Sequence, residues 1–230
     1  MKRQILQAVA WAAVTMLAAC GGGSNDNASG GGAAAPTESV KPVVRTDDLD
    51  TGAYEVSTGD AAQPVLGRYY AGADGKRLLA LEDRDESIDL MLRRADASAA
   101  WVAVPAPGAD LDVPLLRHQA RQVSAPEASA LAGRYVVRLP DGSAADFSIG
   151  ADGRIASGGL SGCQLSGQLA ASTLPGALAL SLDCRGCAAL PASATGVLVV
   201  DPLDAPASLR LLADDGGRVV DLRGHAEPGA

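Results

Sequence analysis

Aromatic residues are scarce in this chain of 230 residues, which has two Trp, four Tyr and one Phe. The core must therefore come from Leu, Val and Ala. A stacking platform for sugars or bases is disfavoured, and only Trp101 or the Tyr69–Tyr70 pair could nucleate one. Histidine is scarcer still. A Ser-His-Asp or Cys-His site must use His118, in Arg117-His118-Gln119, or His225, between Gly224 and Ala226 near the end. Both read as surface residues, with His225 in a frayed tail. No Gly-x-Ser-x-Gly, Ser-x-x-Lys or His-Glu-x-x-His pattern occurs, so no catalytic residue is assigned and the non-enzymatic reading is preferred to the enzymatic one. Positive charge is also short. Lys and Arg number 19 against 27 Asp and Glu, a net of −8, which weighs against nucleic acid as a partner. The acidic runs Asp47-Asp48-Leu49-Asp50 and Glu82-Asp83-Arg84-Asp85-Glu86 offer clustered oxygens, but neither has EF-hand spacing. Solvated turns are expected there, and no metal or other cofactor is assigned.

No apolar run reaches the ~20 residues of a membrane-spanning helix. Ile5 to Ala19 comes nearest, broken by Gln7 and Thr15 and preceded by Met1-Lys2-Arg3. A short positive region before an apolar stretch of this length has the form of an export signal. The stretch ends Leu17-Ala18-Ala19-Cys20, which resembles the lipobox of bacterial lipoproteins. The resemblance implies a signal peptide over 1–19 and a mature chain starting at Cys20, whose thiol takes the lipid, palmitate-type acyl chains included. Trp11 leaves with the signal, as do Lys2 and Arg3, so the mature charge is 17 − 27 = −10. Gly21, rather than Asp, follows the cysteine, which by resemblance to the sorting of Gram-negative lipoproteins implies the outer membrane. The implied partners are the membrane, through lipid at Cys20, and an envelope protein. Gly21 to Gly32 and the small residues after it have little to bury, so 20–46 reads as a flexible tether.

The remainder reads as all-β. Strands are expected at Val65–Tyr70, Arg77–Leu81, Ile88–Leu92 and Trp101–Val104. Later ones are Tyr135–Leu139, Phe147–Ile149, Leu178–Leu182, Val197–Val200, Leu209–Leu212 and Val219–Leu222. Asp-Gly pairs at Asp74, Asp141, Asp152 and Asp215 are hairpin signals. The expected fold is an antiparallel meander forming a small barrel or sandwich, in two β halves at 47–118 and 131–230. A connector at 119–130 carries one short helix, because Ser124-Ala125-Pro126-Glu127 has capping-box form. Gly67-Arg68-Tyr69 and Gly133-Arg134-Tyr135 open the halves alike, through a duplication or through shared local chemistry.

With Cys20 lipidated, Cys163, Cys184 and Cys187 remain, enough for one disulfide and one thiol in an oxidising compartment. Cys163–Cys184 is the preferred bridge and Cys187 the alternative partner, closing a loop of about 20 residues worth about 3 kcal/mol. The Cys184-Arg185-Gly186-Cys187 motif also admits a thiol-redox or metal role, but it follows a strand and does not open a helix. Ser157 to Leu169, followed by a strand ending at Cys184, resembles the META domain of bacterial envelope lipoproteins. The resemblance spans at most Ala130 to Gly224 and departs at Gln164, where that family has Asn, and at Leu165, where it has an aromatic. It implies a small β-fold without established catalytic residues. The expected function is a non-catalytic, lipid-anchored envelope protein that binds or supports another envelope component. A redox or metal role for the three cysteines and an envelope hydrolase using His118 are the alternatives.

Overall fold

Alternating and β-branched segments build a structure of strands, turns and two 3-10 turns. The computed structural model describes residues 41–227. The expected signal peptide, Cys20 and the tether as far as residue 40 lie outside the described residues. From Lys41 onward the chain belongs to one compact unit. Among the described residues no helix is long and apolar enough to cross a membrane.

The first half contains β1 (Val44–Thr46), β2 (Gly52–Asp60), β3 (Gln63–Ala71), β4 (Arg77–Glu82), β5 (Ile88–Arg94), β6 (Val102–Val104), β7 (Leu111–Val113) and β8 (Leu115–Arg121). Six of them form a sheet in the order β6-β5-β4-β3-β2-β8, antiparallel throughout. β1 and β7 pair in parallel and bring Val44 and Val113 to a core with Val56, Tyr69, Leu79, Leu81 and Leu92. β1 corrects the expected tether boundary, because Val44 is buried rather than free. β8 carries the sheet to Arg121, past the boundary expected at 118.

The second half contains β9 (Gly133–Arg138), β10 (Ala144–Ile149), β11 (Arg154–Ser157), β12 (Gln164–Ala171), β13 (Ala177–Arg185), β14 (Ser193–Val199), β15 (Leu209–Asp214) and β16 (Val219–Ala226). Each pairs antiparallel with the next, and β16 returns to β9 to close an eight-stranded barrel. Closure removes the free edges that an open sheet leaves. A barrel of this strand number is just wide enough for its own side chains, and here Tyr135, Phe147, Ile155, Leu165, Leu182, Leu198 and Leu222 fill it. The meander is thus a barrel in this half and an open sheet in the other.

A 3-10 turn at Ala128–Leu131 joins the halves, starting later than expected. Pro126 disfavours helical backbone at the residue before it. Ser124 is therefore not the cap, and Glu127 precedes the turn in an extended conformation without a side-chain cap bond. Of the paired Gly-Arg-Tyr segments, both tyrosines are buried and donate to upstream carbonyls, Tyr69 to Asp47 and Tyr135 to Leu131. The arginines part ways: Arg68 is buried against Asp204, while Arg134 is half exposed beside Asp146.

Alternation decides how the halves meet. On β15, Leu209, Leu211 and Ala213 point into the barrel, while Arg210, Leu212 and Asp214 point outward, and all are buried. The outward face meets Tyr70, Leu78, Ala80, Ile88 and Met91 of the sheet, with Val197, Val199 and Leu174 completing the layer. Full burial of each Leu, Ile, Val or Met among them contributes about 1.5–3 kcal/mol.

Candidate functional site

The join between sheet and barrel gathers most of the buried charge. Strand direction sets its layout. β4 ends at Glu82 where β15 begins, so Glu82 lies beside Arg210. The segment between β14 and β15 forms a 3-10 turn, Pro202–Asp204, with Asp201 as its cap accepting from the Leu203 N–H. That turn carries Asp201 and Asp204 to the same place.

Arg210 is completely buried. Its Nε and one Nη2 N–H bind both oxygens of Asp221 at 2.7 and 2.6 Å. Its Nη1 reaches Glu82 at 2.9 Å and Asp204 at 3.2 Å, and Nη2 also donates to the Glu86 carbonyl at 2.9 Å. A guanidinium has five N–H donors, and here every one has an acceptor. Arg68 grips Asp204 with two hydrogen bonds, at 2.6 and 2.8 Å. Arg121, the last residue of β8, does the same to Asp201. Three arginines thus face four carboxylates drawn from both halves. Such a network is a weak source of net stability but a strong determinant of arrangement, because breaking it strands buried charge.

Electrostatics follow the geometry. Burial would raise the Asp201 carboxyl, but the Arg121 hydrogen bond, the Leu203 N–H and the charges of Arg68 and Arg121 outweigh it and hold it below its ordinary value. Burial would lower Arg210 and Arg68, yet Asp221 and Asp204 respectively keep both more firmly protonated than usual. Burial pushes Tyr70 up to about 12. Elsewhere Asp146 is held low chiefly by the Leu160 N–H, which outweighs burial, with Arg134 adding to it. Asp48 is held low by Arg94 and Arg77 against burial. A carboxylate lowered in the folded state stabilises it above the unfolded pKa of about 4 and loses that contribution as pH falls through the folded value. The urea midpoint should therefore be flat from pH 7 to about 5 as far as these groups are concerned, and fall steeply below about 4. A decline already under way between pH 7 and 5 would contradict these assignments.

The acidic runs expected as solvated turns are partly structural. Asp48 bridges Arg77 and Arg94, both at 2.7 Å, and Asp47 accepts from the Leu115 N–H at 2.6 Å. Glu82 and the Glu86 carbonyl join the buried network, while Asp83 caps its own turn. Among the described residues no three His, Cys, Asp or Glu side chains are arranged to hold a metal.

Cys163 bonds to Cys187, not to Cys184 as preferred from the sequence, and Cys184 is a buried thiol. Register explains the correction. Cys184 lies opposite Leu165 and points into the barrel. Gly186, with φ +68°, turns the chain after β13 and brings Cys187 within 4.4 Å Cα–Cα of Cys163. The two cysteines of the Cys-x-x-Cys motif are therefore not bonded to each other. Burial, and then the charge of Asp183, push the Cys184 thiol up to about 11. Unreduced peptide mapping should recover a 163–187 link. The Cys184 peptide should resist iodoacetamide in native protein and react in urea. A 163–184 link, or fast native labelling, would contradict this arrangement.

The glycine-rich segment behind the META resemblance connects β11 to β12. Asp146 organises it, accepting from the Leu160 N–H at 2.6 Å, and a Cβ at Gly158 would collide with that carboxylate. His118 sits exposed on β8, edge-on to Tyr54 at 6.0 Å, and makes no hydrogen bond to a Ser or Cys among the described residues. His225 is not in a frayed tail, because it lies on β16 and pairs with Val136 of β9. Trp101 packs edge-on against Tyr69 and lies under Arg94.

The sequence reading gave no role to Arg68, Arg121, Arg210 or to Asp201, Asp204 and Asp221, and placed Glu82 in a solvated turn. The signal was present as an arginine inside an apolar run, in Leu209-Arg210-Leu211-Leu212 and Gly67-Arg68-Tyr69-Tyr70. Comparison with family models, curated proteins and solved structures gives no match in any of the three.

Proposed function

We propose that this protein is a lipid-anchored envelope protein, held at the outer membrane through Cys20, whose β body binds or supports another envelope component without catalysis. The observation that carries this reading is the sequence Leu17-Ala18-Ala19-Cys20 at the end of the apolar stretch, followed by a glycine-rich segment. The barrel supports it. Its inward residues are apolar, and outward positions such as Arg134, Arg154, Gln164, Gln168 and Asp183 are polar. A barrel that spans lipid has the reverse pattern, so a covalent lipid is the fitting membrane link. The buried network also fits a body built to keep one shape, since the three arginines tie the sheet to the barrel.

The test uses photo-crosslinking residues placed at exposed positions such as Leu66, Val102 and Leu116 in the full chain, in the cells that produce it. A discrete adduct is expected that disappears when Cys20→Ala prevents anchoring. Absence of any adduct, or turnover of a substrate abolished by one substitution in the body, would defeat the proposal.

A further inference from the structure

The barrel has no edge, but the six-stranded sheet has two, and they differ. β6 ends one side with three residues and is followed by Pro105, which has no N–H to offer. β8 ends the other with seven residues and no proline, and Leu116 to Ala120 are all exposed. Pro64 of β3 lies opposite Gly59 of β2, so that pair does not exchange hydrogen bonds. Alternation then gives the even-numbered residues of β2 to β3 and the odd-numbered ones to β8. Arg117 and Gln119 oppose Ser57 and Glu55 and take those bonds. His118 and Ala120 therefore aim N–H and C=O away from the sheet, where no further strand lies among the described residues. An edge of this kind is a template for one more strand.

We infer that β8 pairs antiparallel with β8 of a second copy, joining two six-stranded sheets across a two-fold axis. A strand that pairs with itself about such an axis centres on one residue, and charge selects which. Centred on Arg117, the two guanidiniums stand opposite each other. Centred on Gln119, Arg117 stands opposite Arg121 of the second copy. Both registers set like charges across the join, which is unfavourable. Centring on Leu116 or Ala120 shortens the overlap to three residues. Centred on His118, Arg117 stands opposite Gln119 and Leu116 opposite Ala120. His118 then exchanges its free N–H and C=O with its own copy. Arg117 also comes two strand spacings, about 10 Å, from Glu55 of the second copy, which sits beside Gln119 on β2. Long side chains close that gap, so this register brings a cation to each Glu55. The inference rests on the edge and is independent of the anchor at Cys20.

The experiment is cysteine cross-linking in cells that produce the full chain, with R117C and Q119C variants made together and oxidised. Opposed residues have Cβ atoms about 4.5–5.5 Å apart and diagonal ones about 7–8 Å, and a disulfide needs about 3.5–4.5 Å. A 117–119 link between two copies is therefore expected from the mixture, with at least about tenfold less from either variant alone. Adding H118P to both should abolish the link and leave the Tm within about 4 °C, because that N–H bonds to nothing in its own sheet. A photo-crosslinker at Leu116 gives a second readout, an adduct of twice the chain mass. Q119R, which sets a cation opposite Arg117, should weaken that adduct about tenfold, and R117E together with Q119R should restore it. Absence of the 117–119 link, equal links from mixture and single variants, a link that survives H118P, or a Leu116 adduct that contains only another protein or is unchanged by Q119R overturns the inference.

Discussion

Arg210→Met should lower the unfolding free energy by about 3–5 kcal/mol. The side chain is fully buried, so its loss leaves Asp221, Glu82 and Asp204 without the cation they share. Methionine fills much of the volume, which separates the charge effect from a cavity. For a chain of this size, each kcal/mol shifts Tm by about 2–4 °C, so a fall of about 6–20 °C is expected. Adding Asp221→Leu should recover part of the loss, because contacting partners in one network are not additive. A single variant within about 2 °C of wild type would mean that the carboxylates are stabilised by something other than Arg210. The loss should also be felt on both sides of the join. Hydrogen exchange should quicken in β4 and in β15, since Arg210 ties Glu82 of one to Asp221 beside the other.

Phe147→Ala tests the barrel alone. Phe147 is 1% exposed and stacks on Tyr135 at 5.7 Å between centroids. The ring beside it, Tyr135, is tied by its hydroxyl to the Leu131 carbonyl and is not free to fill the space. Removal of a buried Phe costs about 3–5 kcal/mol, as lost transfer free energy plus the cavity left behind. The urea midpoint should fall with the slope unchanged, because the surface exposed on unfolding is the same. Exchange should quicken first in β9 and β10. A loss under about 1 kcal/mol would show that the barrel interior relaxes around the gap.

Much of the fold was legible in the sequence because the barrel and the central sheet strands carry their own pattern. Leu178-Ala179-Leu180-Ser181-Leu182 alternates and becomes β13, with the leucines inside. Leu209 to Leu212 is an apolar run because β15 is covered on both faces. β8 was not legible, since Leu115 to Arg121 is exposed along most of its length and has no alternation to display. β1 and β7 are three residues each and exist through a pairing across 67 positions, which no local pattern encodes. The disulfide partner turned on one glycine, Gly186, whose left-handed backbone redirects the chain. The charged network was only half legible. Arg68 and Arg210 stand inside apolar runs that mark them as buried, but their partners are not local, since Asp201 and Asp204 arrive from a separate turn once the sheet is laid against the barrel.

The two halves and their network describe a body, and the proposed function depends on where that body is held. Cys20 carries that dependence. Mass spectrometry of the N-terminal peptide, from protein isolated out of the cells that make it, tests it most directly. The account predicts a chain that begins at Cys20, bearing a thioether-linked diacylglyceryl group. A chain that keeps residues 1–19, or that starts at an unmodified Cys20, would contradict it.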